Sequence, residues 1–322
     1  MTMADLQSLY SMHENHGYGI WTFTGSAIRV AQCMNLLQDN EFRDQVDQDT
    51  RRRVWWNLYD MERYPMTLAD TETRFFSANL SLSSSILDES VNISLPTDEL
   101  SPAYWVDAKQ NGEAVRTPPP GYTNCSISLS QLLGRTAMYL SQSTISLYTL
   151  LHYFSELQEW SDTLLEPFQQ SHVFPMYSKY NHFLTLRWRD AVMIATKPFL
   201  ASLARFGFHP LPQKLWVFFQ FCANIATIAA RETLDLFKSM KQDGKLTGIT
   251  AFYRHFLLQS AGVFALSAVV QQGRKTERAC YKECIELLTQ LPRGVDEQLI
   301  RDMHTVEDKL EQFTATRAWN IP

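Results

Sequence analysis

Apolar residues recur at intervals of three and four along most of the chain, the spacing that lays one greasy stripe down a helix. The pattern predicts a short helix over Met1 to Glu14, closed by Gly17 and Gly19, and a second over Ile20 to Leu37, with Phe23, Ala27, Val30, Ala31 and Met34 on its apolar side. A third covers 51–66. After it the period vanishes: residues 67–126 show only punctuation, Ser81 to Ser85 and Pro118-Pro119-Pro120-Gly121. From Ser128 the helical period returns and holds to about Leu165, with Ser128 or Ser130 as its cap. It resumes over Met176 to Thr196, where Pro198 should stop it, and again from Pro212 toward Lys241, ahead of Asp243-Gly244. Ile249 to Val270, Thr276 to Leu291 and Val295 to Arg317 complete the series. No alternating β pattern interrupts it. The expectation is an all-α fold, a multi-helix array around a buried apolar core in a single domain over 1–322, with a long irregular loop at about 67–126.

Two helices have more than one busy face. Along 51–63, Val54, Leu58 and Met61 form an apolar stripe beside a mixed one of Arg52, Trp56, Tyr59 and Arg63. Adjacent Trp55 and Trp56 point about 100° apart, so this helix needs partners on more than one side. Arg51, Arg52 and Arg53 read as structural cross-links to carboxylates. Leu215 to Phe221 is apolar all round, which predicts a central helix. Ile249 to Val270 approaches the length of a bilayer span, but Arg254, His255 and Gln259 interrupt it, so it reads as a buried helix of a protein outside the membrane. His255 and Gln259 share a face one turn apart. They are either a hydrogen-bonding pair for a ligand or polar core residues satisfied within the protein.

A chain of 322 residues, 45% hydrophobic and 12% aromatic, can build a substantial core, and its net charge of −5 argues against a surface made to neutralise phosphates. Five scattered cysteines suggest free thiols and a reducing compartment, nuclear or cytoplasmic. Cys280 and Cys284 lie four apart without the further ligands a zinc site needs. The N-terminus has no basic stretch leading into an apolar run, so no signal peptide is expected. Phosphate loop, dinucleotide fingerprint, Gly-x-Ser-x-Gly elbow and His-Glu-x-x-His are all missing. The acids of Asp44 to Asp49 precede a helix and read as its solvated, dipole-favoured start. No metal or cofactor is expected.

Arg52-Arg53-Val54-Trp55-Trp56 with Glu62 and Arg63 resembles the signature of the fungal-specific transcription factor domain, the middle homology region of fungal zinc-cluster regulators. Trp21 to Ala31 is similar to that family's W-x-x-x-G-x-A-I-R-x-A helix. Asp88 to Pro96 resembles its D-E-D-I-x-x-x-L-P segment, Ala195-Thr196-Lys197-Pro198-Phe199-Leu200 its L-x-R-P-F-L, and Cys222 to Ala226 its C-x-x-A-A helix. The chain departs from the pattern at Glu62, usually Asp, and at Ser81-Leu82-Ser83, where the family has Gly-Arg-Pro. Residue 1 falls partway into the domain, and the zinc cluster is absent from the sequence.

The resemblance implies a helical domain that senses a small molecule or regulates a linked activity, without its own DNA-binding module and therefore through a regulator protein or a homodimer. A second reading keeps the fold but gives it chemistry to perform. The chain is then a metal- and cofactor-independent enzyme, a cyclase or pericyclase of Diels–Alder type, that holds an apolar natural-product intermediate in a reactive conformer and polarises a carbonyl. Both readings take an apolar small molecule as partner, with no direct contact to nucleic acid or membrane. Both point to the aromatic and donor residues on otherwise apolar faces: Trp21, Trp56, Tyr59, Arg63, Tyr180, Arg187, His255 and Gln259.

Overall fold

The computed structural model describes residues 17–39, 44–73, 86, 91–97, 121–140, 147–164, 178–206, 212–244, 246, 250–270, 275–291 and 297–318. Among these the chain is all-α: α1 Gly17–Cys33, α2 Gln45–Thr73, α3 Tyr122–Leu140, α4 Leu147–Asp162, α5 Ser178–Phe206, α6 Gln213–Gln242, α7 Thr250–Val270, α8 Lys275–Thr289 and α9 Glu297–Ala318. The only β character among the described residues is an isolated parallel bridge between Gln38 and Asn92. The expected Met1 to Glu14 helix and much of the expected 67–126 loop lie outside the described residues. The chain divides into two compact units, Met1–Thr185 and Leu186–Pro322, with the division inside α5.

In the first unit α1 stops at Cys33, short of Leu37. Asn35 turns left-handed at φ 54°, and Leu36 N–H reaches back to the Ala31 carbonyl at 2.9 Å, the hydrogen-bonded stop of a helix C-terminus. Ala27, Ile28 and Ala31 are buried, whereas Val30 and Met34, expected inside, are exposed. Asp44 caps α2 through the Asp47 N–H at 2.8 Å. This helix packs against α1 and α3, and Trp55, Trp56, Leu58 and Tyr59 are all buried. The mixed stripe is thus inside, while Val54 and Met61 are only half-buried. The helix continues past position 66 to Thr73, so the start of the expected loop is helical; its end belongs to α3, which begins at Tyr122 after Gly121 (φ 81°). Ser130 therefore sits inside a helix. The single helix expected from 128 to 165 is two, α3 and α4, joined by Arg135–Glu156 at 3.0 Å and by Trp160 Nε1 donating to Ser128 Oγ at 2.8 Å.

In the second unit α7 is the central helix, in contact with α6, α8 and α9. Its polar interruptions are few enough that Phe256, Leu257, Ala261, Val263, Phe264 and Ala268 are essentially inaccessible. α6 is amphipathic. Cys222, Ala223, Ala226, Ala230, Leu234 and Phe237 are buried, but Leu215, Trp216, Val217 and Phe221 are exposed, so the start of the helix expected to be central lies at the surface. Aromatic stacking covers part of that end, with Phe199 edge-on to Phe218 and Phe219. α5 does not stop at Pro198; it runs on to Phe206. An internal proline costs a helix about 3 kcal/mol. Burial of Ala195, Thr196, Phe199, Leu200 and Leu203 offsets that cost. Charged pairs tie the outer faces: Arg189–Glu232 between α5 and α6, Arg231–Glu277 between α6 and α8, and Lys282–Glu307 between α8 and α9. No helix among the described residues is long and apolar enough to cross a membrane.

Candidate functional site

The residues that the sequence points to fall into two groups, one in each unit. In the first unit each arginine of the 51–53 run has its own partner. Arg51 Nη2 donates to the carbonyls of Met34 and Asn35 at 3.1 and 2.8 Å, closing the end of α1. Arg52 grips Asp39 through two parallel hydrogen bonds, 2.8 and 2.9 Å. Arg53 binds Asp49 at 2.6 Å and donates to the Thr97 carbonyl. The acids are equally committed. Asp39 also accepts from Gln48 and from Ser94 Oγ at 2.5 Å, and Asp49 accepts from Thr97 N–H and Oγ1 at 2.6 and 2.7 Å. The paired guanidinium holds the Asp39 carboxyl far below the usual carboxylate range, and Thr97 and Arg53 lower Asp49 against the opposing effect of its burial. Asp49 is therefore a structural anchor, not the solvated helix start its position suggests.

Trp56, Tyr59 and Arg63 continue the same device. Trp56 donates its indole N–H to the Ser94 carbonyl at 2.9 Å and packs edge-on to Tyr59, centroids 5.2 Å apart. The Arg63 guanidinium lies over the Tyr59 ring at 5.0 Å and donates to the Ile86 carbonyl at 3.0 Å. Arg63, Trp56 and Arg53 thus hold Ile86, Ser94 and Thr97 in turn, so these three points of the chain are pinned along α2 in the antiparallel sense. Gly134 of α3 makes room for the arginine: a Cβ there would meet Arg63 Nη1 at 3.0 Å. Asp60 completes the α2–α3 seam through Ser126 at 3.0 Å and Ser130. Tyr180 stacks edge-on against Tyr122 at 5.0 Å. The Trp21 side chain lies outside the described residues.

The second group lies in the seam between α5 and α7. His255 Nε2 sits 3.1 Å from Asp190 Oδ2, both buried. Lys197 Nζ donates to Gln259 Oε1 at 2.8 Å. Asp190 and Lys197 are seven apart and His255 and Gln259 four apart, so the two pairs stack along facing sides of helices that run in the same direction here. Arg187, one turn before Asp190, is 1% exposed. Gly262 leaves space for the lysine: a Cβ there would lie 3.3 Å from Nζ. Burial pushes the Lys197 amine down to about 8, with Asp190 acting in the opposite sense. Asp190 Oδ1 and Gln259 Nε2 are buried without a hydrogen-bond partner among the described residues. Asp190 and Lys197 are not among the residues expected from the sequence, although a signal was present: Arg187, Asp190 and Lys197 share one side of α5, interleaved with apolar Leu186, Ala191 and Met193.

This seam combines two donors, Lys197 and Gln259, with an acceptor, Asp190, among apolar walls, an arrangement able to orient the polar end of a small molecule. Among the described residues no group of three His, Cys, Asp or Glu side chains could hold a metal ion. No protein-family model, no curated protein and no solved structure matches the chain.

Proposed function

We propose that the chain is a small-molecule-sensing regulatory domain related to the fungal transcription factor middle region, acting on a linked regulator rather than on DNA. One observation carries the ligand-binding half of this reading: the Asp190–His255 and Lys197–Gln259 pairs, with a buried donor and a buried acceptor left over, flanked by buried apolar residues of both helices. Buried polar atoms ordinarily find partners, because leaving one unmatched costs about 1–3 kcal/mol. A ligand with a polar head and an apolar body would match them. The regulatory half rests on the resemblance, whose Arg-Arg-x-Trp-Trp helix builds the frame of the first unit.

The test is to incubate the purified chain with apolar natural-product intermediates, follow their fate by mass spectrometry, and probe association with a zinc-cluster regulator. Retention of an unchanged molecule that alters regulator binding supports the proposal. Accelerated conversion of the molecule, with no effect on any regulator, would replace it with the cyclase reading, in which Lys197 and Gln259 polarise a carbonyl.

A further inference from the structure

Lys197 touches a neutral amide where a cation would normally touch a counter-charge, and the Asp190 carboxylate acts on it only from a distance. Its contact partner among the described residues is the amide oxygen of Gln259, and the nearest acid on its own helix, Asp190, is two turns away, about 10 Å along the axis. Asp190 in turn spends Oδ2 on His255. A buried ammonium is stable only when paired or hydrogen-bonded to acceptors, and Lys197 keeps two of its three N–H donors beyond the bond to Gln259. Gln259 Nε2, on the same amide as the oxygen that Lys197 uses and on a residue 2% exposed, is a second donor without a partner among the described residues. Nε2 is bonded to the same amide carbon as the oxygen that Nζ touches, so the two donors are close neighbours.

We propose that Lys197 and Gln259 form the seat for the carboxylate of a small apolar acid, with Nζ and Nε2 each donating to the anion. This deepens the small-molecule reading and rests on it. Gly262 beside Nζ lacks the side chain that would crowd the ammonium. Phe256 and Val263 on α7, with Met193 and Leu200 on α5, lie one turn from Gln259 and Lys197 and are buried, so an acid with an apolar body suits these surroundings better than a polar one. The low proton affinity of Lys197 agrees: it reflects burial without a contacting anion, and an arriving carboxylate would raise it.

The experiment measures binding of butyrate, octanoate and decanoate to the full chain by calorimetry, with octanol as the uncharged control. It is repeated on Lys197→Met, Lys197→Arg and Gln259→Leu. Acylation of Lys197 by acetic anhydride, read by mass spectrometry, reports the amine directly. The proposal expects the best acid to bind about tenfold or more tightly than octanol. It also expects Lys197→Met to erase that advantage, Lys197→Arg to keep part of it, and the acid to protect Lys197 from acylation. Equal binding of acid and alcohol, unaltered by Lys197→Met, would overturn the carboxylate seat and leave the small-molecule reading standing, with the lysine a helix-to-helix tie. Failure of acids and alcohol alike to bind would overturn both.

Discussion

Arg52 holds Asp39 with two parallel hydrogen bonds of 2.8 and 2.9 Å, and the same carboxylate receives Ser94 from the segment beside α2. One acid therefore joins the chain after α1, the Arg-Trp helix and the 91–97 segment. Both side chains are mostly shielded, 19% and 29% exposed, so the pair counts for more than an ordinary surface ion pair. Asp39→Asn should cost about 1–3 kcal/mol at neutral pH. The folded carboxyl titrates below its unfolded value of 3.8, so its contribution is present above that pH and fades as pH falls below it. Urea unfolding from neutral pH to pH about 3 should show the gap between wild type and variant begin to narrow; a constant gap would contradict the assignment.

Gly134 and Arg63 are fitted to each other. A methyl group at 134 would lie 3.0–3.2 Å from three atoms of the arginine, which is fixed over Tyr59 and on the Ile86 carbonyl. Gly134→Ala should destabilise the fold by about 1–3 kcal/mol despite improving helix propensity. In a double-mutant cycle with Arg63→Met the penalty should shrink, since the shorter, uncharged side chain can give way.

Trp56→Phe removes one donor and part of a buried ring, so its effect on overall stability mixes the lost bond with a small cavity. The Ser94 carbonyl loses its indole partner, for a cost of about 1 kcal/mol. Amide hydrogen exchange should rise first over 91–97, with α7 unchanged. Equal exchange everywhere would mean that the bond does not hold the segment.

Lys197→Met should remove a cost rather than a support. The folded amine lies at about 8 against 10.5 unfolded, so below pH 8 both states carry the proton and the penalty is complete; it is relieved as pH rises from about 8 to 10.5. That shift corresponds at most to about 3 kcal/mol, less for the lysine's partial exposure. Chemical denaturation should therefore show Lys197→Met more stable than wild type at pH 7, paired with Gln259→Leu so that no amide is stranded, and the advantage should narrow in alkali.

Thiol reactivity should follow burial. Cys33 is exposed, whereas Cys222 is buried and pushed up to about 12, and the Cys284 thiol is raised by burial and by its neighbour Cys280. At neutral pH a maleimide should label Cys33 in the folded chain and reach Cys222 and Cys284 only on unfolding.

Local periodicity determined the class of the fold and most helix positions, because a 3.6-residue stripe is written in neighbouring residues. It also marked 51–63 as a helix needing partners on several sides; residue chemistry marked Arg52 and Arg53 as ties to carboxylates, while Arg51, expected to do the same, goes to backbone carbonyls. What it could not determine was which stripe faces inward or where each charge ends. The segment at 91–97 reaches α2 across dozens of residues, and α5 passes through Pro198 because long-range burial outweighs a local penalty. Pairings such as Asp39 with Arg52, Asp190 with His255 and Lys197 with Gln259 join residues far apart in the chain. They exist only once helices are brought side by side, so the tertiary structure alone decided which polar residues are satisfied and which remain turned into the α5–α7 seam.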